Sequence, residues 1–205
     1  MHETIDGFWA VVPAGGAGTR LWPVSRAGSP KFLHDLTGSG RTLIQATVDR
    51  LRPLAGDRVV VVTGQSHAAA VREQLPDLPE SQLLAEPSPR DSMAAIAWAA
   101  AELEARDPEA VLGSFAADHV ISDEEAFAAA VTEAVAVAAR DDLLVTIGIE
   151  PTLFTAGISE VDAHARAISS MMMTVASASA PTDWQASARH RRRTWRPAGA
   201  SRKSW

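Results

Sequence analysis

Hydrophobic positions along the first 150 residues fall into short unbroken runs, separated by longer stretches in which apolar residues recur every three or four positions. Phe8 to Pro13 (FWAVVP), Arg58 to Thr63 (RVVVVT), the QLLAE run ending at Glu86, AVLGSFA over residues 110–116 and LLVTIGI over residues 143–149 read as five strands. Thr42 to Leu54, Ser66 to Leu75, the alanine-rich stretch from Ser92 to Arg106 and Glu124 to Arg140 carry helical spacing, with Ser92 placed to act as an N-cap. Trp98 and the alanines around it read as core. Strands that are apolar throughout are covered on both faces, so this order predicts an α/β fold: a mainly parallel sheet with helices on both sides.

Open sheets of that kind bind ligands at the carboxyl ends of their strands. Three polar clusters fall there: a glycine loop after the first strand, EPSPRDS after the third, and Asp118 with His119 after the fourth. The loop, PAGGAGTRLWPVSRAGSPK from Pro13 to Lys31, holds the most chemistry. Gly15, Gly16 and Gly18 permit positive φ and let backbone N–H groups approach a ligand, Thr19 adds a hydroxyl, and Arg20 adds a cationic fork. Such a loop suits a polyphosphate. It is not a P-loop, because no lysine follows Gly18. Nor is it a full dinucleotide fingerprint, because Leu21 stands where the third glycine belongs. An NAD-type domain therefore stands behind the polyphosphate reading as an alternative.

Composition narrows the classes further. The 205 residues include 46% hydrophobic positions at near-zero mean hydropathy, enough for an ordinary globular core, and no cysteine, which excludes disulfides and thiolate metal sites. The N-terminus carries acids ahead of its apolar run, and no run approaches the ~18 residues of a spanning helix, so a cytoplasmic location without membrane association is expected. Charge is unevenly placed. Residues 1–152 carry 11 Lys+Arg against 22 Asp+Glu, whereas residues 153–205 carry 8 against 3.

Four blocks together carry a family resemblance: GGAGTRLWPVSRAGSPK, AEPSPRDSMAAIAWAA, AADHVI and IGIEPT, in that order across residues 8–152. The first resembles the GxGTRL…PK signature of sugar nucleotidyltransferases, and its longer form resembles that of the mannose-1-phosphate guanylyltransferases. The resemblance implies a Rossmann-like nucleotide-diphospho-sugar transferase fold, here truncated. It also implies a reaction in which GTP and mannose 1-phosphate give GDP-mannose and pyrophosphate with Mg²⁺. Residues matching the family's motifs inherit expected roles. Arg20 and Lys31 are the catalytic cations facing the phosphates. Gly15, Gly16, Gly18, Thr19 and Arg20 bind the nucleotide from the first loop, and Glu86, Pro87, Arg90 and Ser92 bind it from the guanosine side. Asp118 is the metal carboxylate; His119 is read, from its place beside it, as orienting the loop or packing against it rather than as a ligand. Asp91 and Ser92 replace the family's usual Asn-Thr pair, which adds a negative charge close to a polyanion.

Agreement stops after Thr152. The sugar-lining GYGYI segment, the EKP and WNxG blocks and a second metal aspartate do not appear in residues 153–205, which are rich in Ala, Ser, Arg and Thr and hold three of the six tryptophans. The expected organisation is a nucleotidyltransferase domain over residues 1–152 followed by an atypical basic tail over 153–205. The loss of motifs and the charge reversal motivate one hypothesis, that the tail is frameshifted or disordered. Sequencing the gene past codon 152 tests it, and absence of those blocks from every shifted frame sinks it. The rival is a real tail whose RHRRRTWRPAGASRK segment contacts nucleic acid, which RNA binding with and without residues 189–205 would decide. On either account the expectation is little or no GDP-mannose synthesis by this polypeptide alone, and homo-oligomerisation is left open.

Overall fold

The computed structural model describes residues 4–16, 24–26, 28–88, 90–148 and 173–177. Six strands form one sheet: β1 (Phe8–Ala14), β2 (Val59–Gly64), β3 (Leu83–Glu86), β4 (Val111–Ser114), β5 (Val145–Ile147) and β6 (Met173–Ser177), in the order β3-β2-β1-β4-β6-β5. β1 pairs in parallel with β2 and β4, and β2 with β3. β6 pairs antiparallel with both β4 and β5, so β1 to β5 all point one way and β6 alone is reversed. The sheet is mainly parallel, as the apolar runs require.

Helices α1 (Leu43–Ala55), α2 (Ala68–Gln74), α3 (Asp91–Arg106) and α4 (Glu124–Asp141) cover it. Alternate strand residues serve opposite layers. Phe8, Ala10, Val12, Val59 and Val61 face a core completed by Ile44, Val48 and Leu51 of α1 and by Phe127 and Val131 of α4. Val11, Val60, Val62 and Leu112 face a second core built on Ala95, Ala99 and Leu103 of α3. Trp98 is half-buried against this second layer, with Nε1 donating to Glu102 Oε1 at 3.4 Å. β4 has no room for a side chain at Gly113: an added Cβ would lie 2.7 Å from Phe115 and 2.9 Å from Phe8, two rings that meet edge to face.

Local signals explain most boundaries. Thr42 opens α1 with a capping box, accepting from Gln45 N while Thr42 N donates to Gln45 Oε1. Asp123 opens α4 by accepting from Ala126 N at 2.9 Å. Two expectations need correction. Ser92 does not cap α3: Arg90 occupies the N-cap position with no side-chain cap bond, and Ser92 lies inside the first turn. The segment before α2 winds as a 3₁₀ turn over Gln65–His67, so the α-helix itself starts at Ala68.

The sheet also extends past the expected boundary at Thr152. Met173–Ser177, within the stretch assigned to the tail, inserts as β6 between β4 and β5, with Val175 and Ala176 fully buried. The structure describes nothing else beyond residue 148, so the basic tail itself lies outside the described residues.

Candidate nucleotide site

β1 ends at Ala14, and Gly15 and Gly16 emerge into solvent. Gly16 adopts φ +91°, a conformation that favours glycine, and a Cβ at either position would meet nothing within 4 Å. Among the described residues, internal packing therefore does not require glycine at either position. The base of this loop is fixed from β2: the buried Thr63 hydroxyl donates to the Ala14 carbonyl at 2.7 Å. Gly18, Thr19 and Arg20 lie outside the described residues.

Lys31 returns to the same place by a separate route. Arg26 and Ser29 exchange backbone hydrogen bonds, both at 2.9 Å, and His34 Nε2 contacts the Ser29 hydroxyl at 2.9 Å. This closed loop delivers a 3₁₀ turn, Lys31–Leu33, whose central Phe32 is buried and packs edge to face on His67. With Phe32 held inside, Lys31 is carried on the outer side of the turn.

Asp118 is placed by an extension of the β1–β4 ladder. Phe115 N donates to Val11 O and Ala117 N to Pro13 O, so the chain leaving β4 follows β1 to its end before turning. There the Asp118 carboxylate forms an ion pair with the Lys31 ammonium. The neighbouring His119 is buried.

Glu86, Pro87, Arg90 and Ser92 lie at the end of β3 and the start of α3, on the same edge of the sheet but two strands from β1. Glu86 is half-buried and the other three are exposed. At ~4.8 Å per strand this spacing separates them from the glycine loop by about 10 Å, a span suited to one ligand reaching across both groups. The structure thus brings Lys31 and Asp118 together at the end of β1, where Gly15 and Gly16 emerge, and sets the β3 group two strands away.

Sequence reasoning missed two supporting residues. One is Thr63. The other is Arg50, which occupies the buried face of α1 with Leu43, Thr47 and Leu54 and donates from Nη2 to the His119 carbonyl at 3.4 Å. A charged residue at a position of apolar helical spacing was the available signal.

Among the described residues no three His, Cys, Asp or Glu side chains cluster as a metal cage. A single carboxylate at an accessible strand end suits Mg²⁺ arriving with phosphates and water, since that ion commonly takes one or two protein carboxylates. Among the described residues, no helix is long and apolar enough to cross a membrane.

Known proteins resemble this chain in sequence and in fold. The model of the nucleotidyl transferase family matches residues 9–168. The xanthan biosynthesis protein XanB of Xanthomonas campestris pv. campestris (strain B100) is 41% identical over 157 residues, 76% of this chain and 33% of that protein. The mannose-1-phosphate guanylyltransferase of Escherichia coli K12 is 41% identical over 150 residues, 71% of this chain and 31% of that protein. Among solved structures, one described as mannose-1-phosphate geranyltransferase from Thermus thermophilus superposes with a TM-score of 0.68 at 27% identity, covering 85% of this chain and 58% of that one. The chain spans about a third of the length of the curated relatives it matches. With the family model covering most of its length, and with the fold and strand-end cluster described above, this chain belongs to the nucleotidyl transferase family.

Proposed function

We propose that the chain binds GTP at the carboxyl ends of β1, β3 and β4, as the nucleotide half of a mannose-1-phosphate guanylyltransferase. The observation that carries this reading is the meeting of Lys31 and Asp118 beside the exposed glycines. In the reaction, a phosphate oxygen of mannose 1-phosphate attacks the α-phosphorus of GTP in line; the new P–O bond forms as the bond to the β-phosphate breaks, and pyrophosphate leaves. Two anions must be aligned and the charge on the transferring group neutralised. Backbone N–H groups of Gly15 and Gly16 and the Arg20 guanidinium receive the triphosphate, and the Lys31 ammonium faces the phosphoryl group in transfer. Glu86 accepts from the N–H groups of guanine, with Pro87, Arg90 and Ser92 lining the nucleoside side. Asp118 holds Mg²⁺, which supplies further neutralisation of phosphate charge when bound.

The absence of the sugar-lining blocks from residues 153–205 favours a second reading, binding without efficient transfer. One experiment separates the two. The purified chain is titrated with GTP, with and without Mg²⁺, and assayed for pyrophosphate release with mannose 1-phosphate, glucose 1-phosphate and alternative nucleotides. Mg²⁺-linked GTP affinity with little release is the expected outcome; robust GDP-mannose formation would overturn the second reading. No Mg²⁺-linked affinity, and no loss on Arg20→Ala, would sink the proposal as a whole.

A further inference from the structure

We infer that Arg50 is a positioning residue that holds the Asp118–His119 turn in place from beneath, so that Asp118 is presented to Lys31 and to a nucleotide-borne cation. The inference deepens the functional reading above and rests on it for the cation, though not for the lysine.

Arg50 is nearly buried, and its placement is costly. Burial pulls its guanidinium below the ordinary arginine value while Glu124 pushes the other way, and the group remains a cation at neutral pH. Its Nε has no hydrogen-bond partner among the described residues, and Glu124 Oε1 lies 3.9 Å away on a side chain that is 71% exposed. A buried, incompletely paired cation is a poor device for stability, because an apolar side chain of similar volume often serves as well or better. What Arg50 does make is specific. Nη2 donates to the His119 carbonyl at 3.4 Å, and the guanidinium lies 5.6 Å from the centre of the Phe127 ring. The arginine thus bridges α1 and α4 and holds the peptide one residue past Asp118. The turn also carries a long backbone bond, His119 N to Ala116 O at 3.4 Å, and Ala117 N ties its start to Pro13 O of β1 at 3.3 Å. Without Arg50 the turn loses its support from α1, and the Asp118 carboxylate loses its fixed position beside Lys31.

The chain contains only two lysines, Lys31 and Lys203, which makes the test clean. The full chain is treated briefly with an amine-acylating reagent, and labelling at Lys31 relative to Lys203 is read by mass spectrometry. Asp118→Asn removes the partner and sets the upper limit, about threefold above wild type for a partly exposed pair. Arg50→Met is expected to reach nearly that level, Arg50→Lys to fall between, and Glu124→Gln to match wild type. A folded Arg50→Met chain with wild-type labelling overturns the inference; should that variant not fold, wild-type labelling of Arg50→Lys does so. No nucleotide enters this readout, so it is separable from the functional reading. If wild type shows no Mg²⁺-linked GTP affinity while Lys31 labelling still follows Arg50, the nucleotide proposal fails and the positioning role stands. Where wild type does bind, Arg50→Met is expected to lower GTP affinity in Mg²⁺ but not in EDTA.

Discussion

The Lys31 ammonium and the Asp118 carboxylate, brought from a 3₁₀ turn and from the end of β4, neutralise one another at the head of β1. Their side chains are 38% and 23% exposed, so water screens the pair, and such pairs contribute about 0–1 kcal/mol to folding. The pairing therefore tells more about ligand binding than about stability. In the proposed complex an anion would take the place of Asp118 at Lys31, and a cation that of Lys31 at Asp118. Lys31→Met and Asp118→Asn are each expected to shift the unfolding free energy in urea by less than about 1 kcal/mol. Each is expected to weaken Mg²⁺-GTP binding about tenfold or more, the scale of a lost charge-assisted hydrogen bond. Strong destabilisation with intact binding would instead make the pair a structural clamp.

Thr63 connects the sheet to the glycine loop. Its buried hydroxyl donates to the last carbonyl of β1, directly before Gly15. Thr63→Val keeps the shape and removes the donor, which is expected to cost about 1–2 kcal/mol in chemical denaturation. GTP affinity should fall as well, because the first two glycines lose their fixed base. Unchanged stability would mean that the Ala14 carbonyl is satisfied without Thr63.

The parts of the fold readable in sequence were those where local chemistry and tertiary burial agree. Val59 to Val62 form an unbroken apolar run because α1 covers one face of β2 and α3 the other, and Thr42 with Gln45 announces α1 by a capping box. β6 was not legible. Met173–Ser177 mixes polar and apolar residues inside an Ala/Ser-rich stretch, and its strand character comes from pairing with β4, some 60 residues earlier in the chain. Ser92 was read as a cap because serine favours that position, yet Arg90 takes the extended backbone and leaves the serine inside the helix. Lys31 and Asp118 were each legible through the family's motifs; that they face each other depends on the ladder that carries Asp118 along β1, which no local pattern encodes.

Asp35 organises the loop that follows the Lys31 turn. Its Oδ1 accepts from the backbone N–H groups of Thr37, Gly38 and Ser39, and Oδ2 from Gly40 at 2.7 Å. Desolvation pushes this carboxyl up, but the exposed position limits that effect, and the Gly40, Thr37 and Gly38 amides with the Thr37 hydroxyl together hold it below its ordinary value of 3.8. A depressed folded value means that the loop's stabilisation is complete above pH 3.8 and is lost as pH falls through the lower folded value. The Gly40 amide proton, followed by NMR, is therefore expected to move upfield with a midpoint below 3.8, and to lack that transition in Asp35→Ala. A midpoint at or above 3.8 would contradict the assignment.

Asp91 opens α3 with φ +20°, exposed on the edge of the sheet where the proposed nucleotide lies. Asparagine tolerates positive φ as well as aspartate does, so Asp91→Asn removes the charge with little change of backbone. Two effects then oppose each other. The carboxylate stabilises the N-terminus of α3 by about 0.3–1 kcal/mol through the helix dipole, so the variant should unfold slightly more easily. The same carboxylate repels a polyphosphate, and removing roughly 0.6 kcal/mol of screened repulsion raises Mg²⁺-GTP affinity about threefold. That gain should shrink as added salt shortens the screening length to ~8 Å and below, whereas a gain from a new hydrogen bond would persist. Titrations of wild type and variant at low and high ionic strength distinguish these cases. Equal affinities at low salt would mean that the bound nucleotide lies beyond the reach of the Asp91 charge, and the nucleoside side would then not be at the start of α3.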